Sequence, residues 1–128
     1  MNYFVTGATG FIGKYLVANL LKRKDTKVYA LVRKESAAKF KEARAFWGPE
    51  SKRVIAVRGD LGKAKLGVSA ANFKNLTGEV THMFHLAAIY DLAASAESQD
   101  LANILGTDHA LDFAEHIGVR CFHHCSSI

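Results

Sequence analysis

A parallel, doubly wound α/β sheet is the architecture this sequence predicts. Two observations carry that expectation. Five short apolar runs alternate with helical patterns along the chain. The first run leads through a turn with glycines at 7, 10 and 13 into an amphipathic segment. Strands that alternate with helices pair in parallel through right-handed crossovers. The expected strand order is 3-2-1-4-5, with a ligand at the C-terminal ends of strands 1 and 4.

The elements follow in order. The first strand is Tyr3–Thr6, and the helix after it is Ile12–Arg23, with Ile12, Tyr15, Leu16 and Leu20 at helical spacing. The second strand spans Lys27–Arg33. A helix over Ser36–Trp47 follows, with Ser36 in the position of an N-terminal cap and Phe40, Ala43, Phe46 and Trp47 as its apolar residues. The third strand is Arg53–Arg58, and a short helix is expected over Ser69–Leu76. Val80–Leu86 forms the fourth strand. The long helix Ser95–Ile117 should turn Leu101, Ile104, Leu105, Leu111 and Ala114 to one face. Gly118 stands where a left-handed C-terminal cap belongs, and Arg120–Cys125 is the fifth strand. Several strands are nearly continuous in apolar residues, as strands covered on both faces should be.

With 128 residues, the chain suffices for one domain with a core and is too short for two. Its 49% apolar content excludes a disordered segment. Lys and Arg number 17 against 12 Asp and Glu, giving +5, and the basic residues are dispersed. That pattern fits solubility and an anionic small ligand, and no nucleic-acid partner is expected. The sequence has no apolar run long enough for a transmembrane segment and no signal-peptide pattern, so a cytoplasmic location is expected.

Gly7-x-x-Gly10-x-x-Gly13, between a strand and a helix, is a phosphate-binding arrangement. Gly7 permits a tight turn with positive φ. Gly10 leaves room for a pyrophosphate to approach the backbone, and Gly13 lets the helix lie close to the strand. The spacing departs from the G-x-G-x-x-G fingerprint. An ordinary strand-to-helix turn is the competing reading. Arg33 and Lys34 close the second strand, where a dinucleotide fold meets the adenosine ribose. A cation there pairs with a 2′-phosphate, whereas an acidic residue would select the unphosphorylated nucleotide. Gly59-Asp60-Leu61 follows the third strand; Asp60 can accept from an adenine amino group while Leu61 covers the ring, and a plain turn is the alternative. Ala87 and Ala88 end the fourth strand with side chains small enough to admit a ribose.

Cys121, His123 and Cys125 share one strand face by parity. Same-face neighbours stand about 7 Å apart, so the two cysteines cannot share one ion without distortion, and no metal site is expected. His82 and His85 point to opposite faces, and Asp108, Asp112 and Glu115 read as a solvated helix face. His109 and His116 read as surface or packing residues of the same helix.

Thr6–Gly13, Arg33, Gly59-Asp60-Leu61, His85-Leu86-Ala87-Ala88, Asn103-x-x-Gly106-Thr107 and Ser126-Ser127 stand in the order found in extended short-chain dehydrogenases/reductases. The longer strings His85–Asp91, Asp100–Asn103 and Phe122–Ile128 resemble the N-terminal part of bacterial fatty acyl-CoA reductases, the male-sterility-type branch. That resemblance covers the whole chain. It implies a Rossmann-type NADP-binding domain over residues 1–128, cut before the sixth strand and the substrate region. Gly7, Thr9, Gly10 and Gly13 would frame the pyrophosphate, with backbone N–H groups of Phe11 and Ile12 as donors. Arg33 and Lys34 would take the 2′-phosphate of NADP(H), and Asp60 and Leu61 the adenine. Ala87 and Ala88 would line the path to the nicotinamide ribose, and Tyr90 would face the nicotinamide or the thioester. Asn103 would bridge the fourth and fifth strands. Ser127, with Ser126 beside it, would be the catalytic hydroxyl that hydrogen-bonds the substrate oxygen.

The family's Tyr-x-x-x-Lys pair has no counterpart, because Tyr3, Tyr15, Tyr29 and Tyr90 are followed four residues later by Gly7, Asn19, Arg33 and Ala94. The chain by itself is therefore expected to be inactive. The resemblance implies that the complete protein reduces a fatty acyl-CoA or aldehyde by hydride transfer. A sugar-nucleotide epimerase or dehydratase, and a non-catalytic NADP(H)-binding module, are the alternatives left open by the shared front half. Apolar surface left uncovered at the fifth strand would favour self-association into a homo-oligomer.

Overall fold

A computed structural model of the chain describes residues 1–86 and 96–124, the side chains of 96–103 excepted. Five strands form one parallel sheet: β1 (Asn2–Thr6), β2 (Lys27–Val32), β3 (Val54–Arg58), β4 (His82–His85) and β5 (Cys121–His124). Their order is β3-β2-β1-β4-β5, as the alternation of elements predicts. The helices are α1 (Phe11–Leu20), α2 (Ala37–Trp47), α3 (Ala70–Leu76) and α4 (Ala96–Ile117).

Side-chain parity divides the core between the two faces of the sheet. Tyr3, Val5, Val28, Ala30 and Val32 pack with Val17 and Leu20 of α1 and with Phe40, Ala43 and Trp47 of α2. Phe4, Val57 and Met83 pack on the other face with Leu76 of α3 and Ala110, Phe113, Ala114 and Ile117 of α4. Helices thus cover both faces, and β1, at the centre, is buried from Tyr3 to Thr6.

Three sequence expectations need correction. Ser36 makes no side-chain cap on α2; residues Lys34–Ser36 instead form a 3₁₀ turn that links β2 to the helix. The buried face of α4 is not the one marked by Ile104, Leu105 and Leu111, which are 60%, 51% and 40% exposed. Gly106, Ala110, Phe113, Ala114 and Ile117 form the buried stripe. Small residues at 106, 110 and 114 suit a close approach of the helix to the sheet, and the Phe113 ring packs tilted at 44° against Phe4 with centroids 5.0 Å apart. Finally, Arg53 lies outside β3 and ends a 3₁₀ turn (Gly48–Arg53).

Gly118 caps α4 as expected from sequence, and Ser69 caps α3. Ser69 Oγ accepts from the Asn72 N–H at 3.2 Å. Gly118 has φ +80°, the Gly118 N–H donates to Glu115 O and the Val119 N–H to Ala114 O, which together close α4 in a Schellman motif.

Arg53 is a structural hub that its place beside an apolar run conceals. Its guanidinium donates to the carbonyls of Arg23 (2.7 Å), Thr26 (3.0 Å) and Leu21, just beyond α1, and pairs with Glu50. A fork of donors satisfies carbonyls that a helix end leaves without partners. We expect Arg53→Met to cost about 2–3 kcal/mol. Urea denaturation followed by emission of Trp47, the single tryptophan, measures it. A midpoint equal to wild type would mean that water replaces these bonds at no cost.

Candidate functional site

The site lies at the carboxyl edge of the sheet, between β1 and β4, which are followed by helices packed on opposite faces. Parallel sheets bind ligands at such a point because the connections there leave a crevice. Gly7, Thr9, Gly10, Leu31, Arg33, Ser36, Lys39, Asp60, Leu61 and Leu86 line a cavity of about 260 Å³. The lining joins the turn after β1, the end of β2, the first turns of α2, the loop after β3 and the end of β4.

The glycines of the turn do three different jobs. Gly7 has φ +80°, a left-handed conformation that L side chains rarely adopt. A Cβ on Gly13 would fall 1.9 Å from Gly7 O and 2.9 Å from Ala8 Cα, so the contact of α1 with the turn requires glycine. A Cβ on Gly10 would meet only Gly7 O, at an ordinary 3.4 Å. Packing within the chain therefore does not demand glycine at position 10. Gly10 instead borders the cavity, where the missing side chain leaves backbone open to a ligand. The turn closes with the Gly10 N–H donating to Gly7 O at 3.1 Å. No side chain caps α1 and no acidic residue occupies its first turn, so the first N–H groups and the helix dipole suit an anion. Phe11 and Ile12 carry those N–H groups, and their side chains are exposed.

Arg33 leaves the sheet at the end of β2, and its carbonyl accepts from the Ser36 N–H at 3.0 Å. The turn that results sends Ser36 and Lys39 to the cavity together with Arg33, while Lys34 does not line it. Sequence reasoning missed Ser36 and Lys39 in this role.

Asp60 makes a turn and also borders the cavity. Its Oδ1 accepts from the Gly62 N–H at 2.8 Å, an Asx-type turn, and the residue also lines the cavity. Leu61 is buried beside it, and its carbonyl accepts from His109 Nδ1–H of α4 at 2.7 Å. His109 thus fixes the loop that presents Asp60 and Leu61. Gly59 is required for packing, since a Cβ there would lie 2.4 Å from Leu66 O.

A second unread feature is the buried His85, 2% exposed. Its Nδ1 lies 2.7 Å from Thr6 Oγ1, its partner across the β1–β4 register, and its Nε2 lies 3.3 Å from Thr107 Oγ1 of α4. Thr6 Oγ1 also accepts from the Leu86 N–H. Burial, and secondarily the nearby His124, lower the His85 pKa to about 4. A neutral imidazole therefore joins the ends of β1 and β4 to α4 at the mouth of the crevice.

Ala87, Ala88, Tyr90, Ser126 and Ser127 lie outside the described residues, as do Cys125 and the side chain of Asn103. Cys121 and His123 do share a face, with Sγ and Nε2 3.3 Å apart. Among the described residues, no helix is long and apolar enough to cross a membrane.

The chain was compared with known proteins. The model of an NAD-binding family described as Male sterility protein matches residues 5–128. The L-2-aminoadipate reductase large subunit of Penicillium chrysogenum is 36% identical over 118 residues, 84% of this chain and 8% of that protein. A Drosophila melanogaster protein named as a fatty acyl-CoA reductase is 28% identical over 134 residues, 91% of this chain and 26% of its own length. The crystal structure of the terminal R domain from the myxalamid PKS-NRPS biosynthetic pathway superposes with a TM-score of 0.81 at 32% identity. It covers 98% of this chain, and this chain spans 34% of it. A glycine turn at a strand-order switch point and a family match over nearly the whole length agree: this chain belongs to the NAD-binding Male sterility protein family, with the extended short-chain reductase fold.

Proposed function

We propose that this chain is the NADP(H)-binding part of a reductase that delivers hydride to the carbonyl of an acyl thioester or aldehyde. One observation supports it most directly: Arg33 lines the same cavity as the glycine turn, at the strand end where an adenosine ribose would sit. Gly7, Thr9, Gly10 and the N–H groups of Phe11 and Ile12 hold the pyrophosphate. Gly13 keeps α1 against that turn. Arg33 receives the 2′-phosphate, with Lys34 supplying positive charge nearby. Asp60 and Leu61 receive the adenine.

The nicotinamide supplies the hydride when bound. By the family resemblance, Ala87 and Ala88 would leave room for its ribose, and Tyr90 would face the nicotinamide or the substrate. Ser127, next to Ser126, donates a hydrogen bond to the carbonyl oxygen and stabilises the negative charge that develops there. The acidic partner for that oxygen belongs to a Tyr-x-x-x-Lys pair that this sequence does not contain. The similarity to a protein named as a fatty acyl-CoA reductase supports an acyl-CoA thioester as the substrate.

Titration with NADPH and NADH, followed by nicotinamide fluorescence, tests the cofactor half of this reading. Wild type should prefer NADPH. Arg33→Ala should weaken NADPH about 10- to 100-fold and leave NADH unchanged, as expected for a lost charge-assisted hydrogen bond to a phosphate. Equal affinity of wild type for both nucleotides, unmoved by Arg33→Ala, would overturn it.

A further inference from the structure

We propose that His109 of α4 is a positioning residue for the adenine end of the cavity, and that it aims the Asp60 carboxylate through a single peptide plane. The inference rests on the NADP(H) reading above and deepens it, because it names what sets the direction of the group that receives the adenine. The peptide between Leu61 and Gly62 is bonded at both ends. Its carbonyl, on Leu61, accepts from His109 Nδ1–H at 2.7 Å. Its N–H, on Gly62, donates to Asp60 Oδ1 at 2.8 Å. A trans peptide is flat, and its C=O and N–H point in opposite directions. A donor on α4 that fixes the carbonyl therefore fixes the N–H, and with it the carboxylate. The two bonds run in the same sense, from imidazole to peptide to carboxylate, so each polarises the other. A Cβ on Gly62 would stand only 3.3 Å from the same Oδ1, so the carboxylate lies tight against this plane.

The other bonds of the loop fall on neighbouring peptides. The Asp60 N–H donates to Leu66 O, the Lys63 N–H to Asp60 O and the Leu66 N–H to Lys63 O. Leu61 and Leu66 are buried in one core with Ala110 and Phe113 of α4. That apolar contact sets how near the loop lies to the helix, but it is non-directional and does not turn the plane. His109 supplies the direction, from 48 residues away. Among the described residues, no further hydrogen bond engages the Asp60 carboxylate. An ionised carboxylate offers about four acceptor positions, so one oxygen can hold the loop while the other meets an amino group in the cavity that Asp60 lines.

The test measures dissociation constants of NADPH and 2′,5′-ADP for wild type, His109→Ala, His109→Asn, Asp60→Asn and the double variant Asp60→Asn/His109→Ala. His109 is half-buried, so in His109→Ala water reaches the Leu61 carbonyl: the carbonyl keeps a partner, but the plane loses its fixed donor. Trp47 emission verifies that each variant is folded. His109→Ala should weaken both ligands about 10-fold. His109→Asn carries an amide N–H at the reach of Nδ1 and should bind within about 3-fold of wild type. Asp60→Asn should weaken both ligands about 10-fold, and in that background His109→Ala should add less than about 2-fold, because its effect runs through the carboxylate. If His109→Ala leaves binding unchanged, or weakens it as much in the Asp60→Asn background as in wild type, the proposal fails and the NADP(H) reading survives. The same holds if His109→Asn binds as poorly as His109→Ala. If Asp60→Asn binds as tightly as wild type, the carboxylate does not receive the adenine, and the proposal falls with that role. If wild type binds neither ligand, the NADP(H) reading fails and takes the proposal with it.

Discussion

Gly13→Ala should strongly destabilise the fold and weaken nucleotide binding with it, whereas Gly10→Ala should spare the fold and lose only the ligand. A Cβ at Gly13 would stand 1.9 Å from Gly7 O, 2.8 Å from Gly7 C and 2.9 Å from Ala8 Cα. Those atoms are backbone, so no side-chain rotation relieves the clash. The turn cannot retreat easily, because Gly7 already has φ +80° and its carbonyl accepts from the Gly10 N–H. The helix must lift instead, and α1 carries Val17 and Leu20 into the core. Overpacking against rigid backbone, together with that lost burial, should cost about 3–5 kcal/mol. A domain of this size has about 5–15 kcal/mol in total, so the variant should lose a large share of its stability and unfold at a much lower urea concentration than wild type. At Gly10 the added methyl meets Gly7 O at 3.4 Å, so the urea midpoint should stay within about 1 kcal/mol of wild type. Its methyl would occupy the side from which a pyrophosphate approaches. Denaturation by Trp47 emission and nucleotide titration on the same two proteins separate the cases. A wild-type midpoint for Gly13→Ala would show that α1 can shift without loss. Unimpaired nucleotide binding by Gly10→Ala would move the pyrophosphate away from this turn.

The contrast between these glycines indicates how far sequence carries. Spacing alone marks Gly13 for close packing and Gly118 for a cap, because both roles are local. Strand order was legible for the same reason: parity and length of each apolar run, plus alternation with helices, leave few topologies. The α4 face was misread because apolar residues surround much of that helix. Leu105 and Ile104 look more hydrophobic than Ala110 and Ala114, yet distance to the sheet favours the small residues. Lys39 was invisible because its place depends on a three-residue 3₁₀ turn, not on a repeat. Arg53, His109 and His85 were missed for a further reason. Their partners are Arg23, Leu61 and Thr6, at separations of 30, 48 and 79 residues. No local pattern announces such a bond. The one signal available for His85 was its register opposite Thr6, which follows only once β1 and β4 are known to be parallel neighbours.

His85 should make the chain's stability fall in acid. In the folded state its pKa is lowered to about 4, chiefly because burial disfavours the imidazolium and secondarily because His124 lies nearby. The unfolded chain titrates it near the ordinary value of about 6.5. Between those values the unfolded state binds a proton that the folded state refuses, so stability rises with pH across the window. The contribution is fully present above about pH 6.5 and is lost as the pH falls toward about 4, a total on the order of 3 kcal/mol. His82 is shifted in the same direction, by partial burial and by His123, and adds to the slope. Protonation would also disturb the contacts to Thr6 and Thr107, and through Thr6 the Leu86 N–H at the cavity wall. His85→Gln removes the titrating group while keeping hydrogen-bonding atoms in its place. That variant should be less stable at pH 7 by about 1–3 kcal/mol, because its fit to both threonines is poorer. Its unfolding free energy should then depend much less on pH between about 6.5 and 4 than that of wild type. Urea unfolding of both proteins at several pH values across this window gives the two slopes directly. Parallel slopes would mean that His85 titrates normally in the folded chain, and that the Thr6–His85–Thr107 junction tolerates a charge.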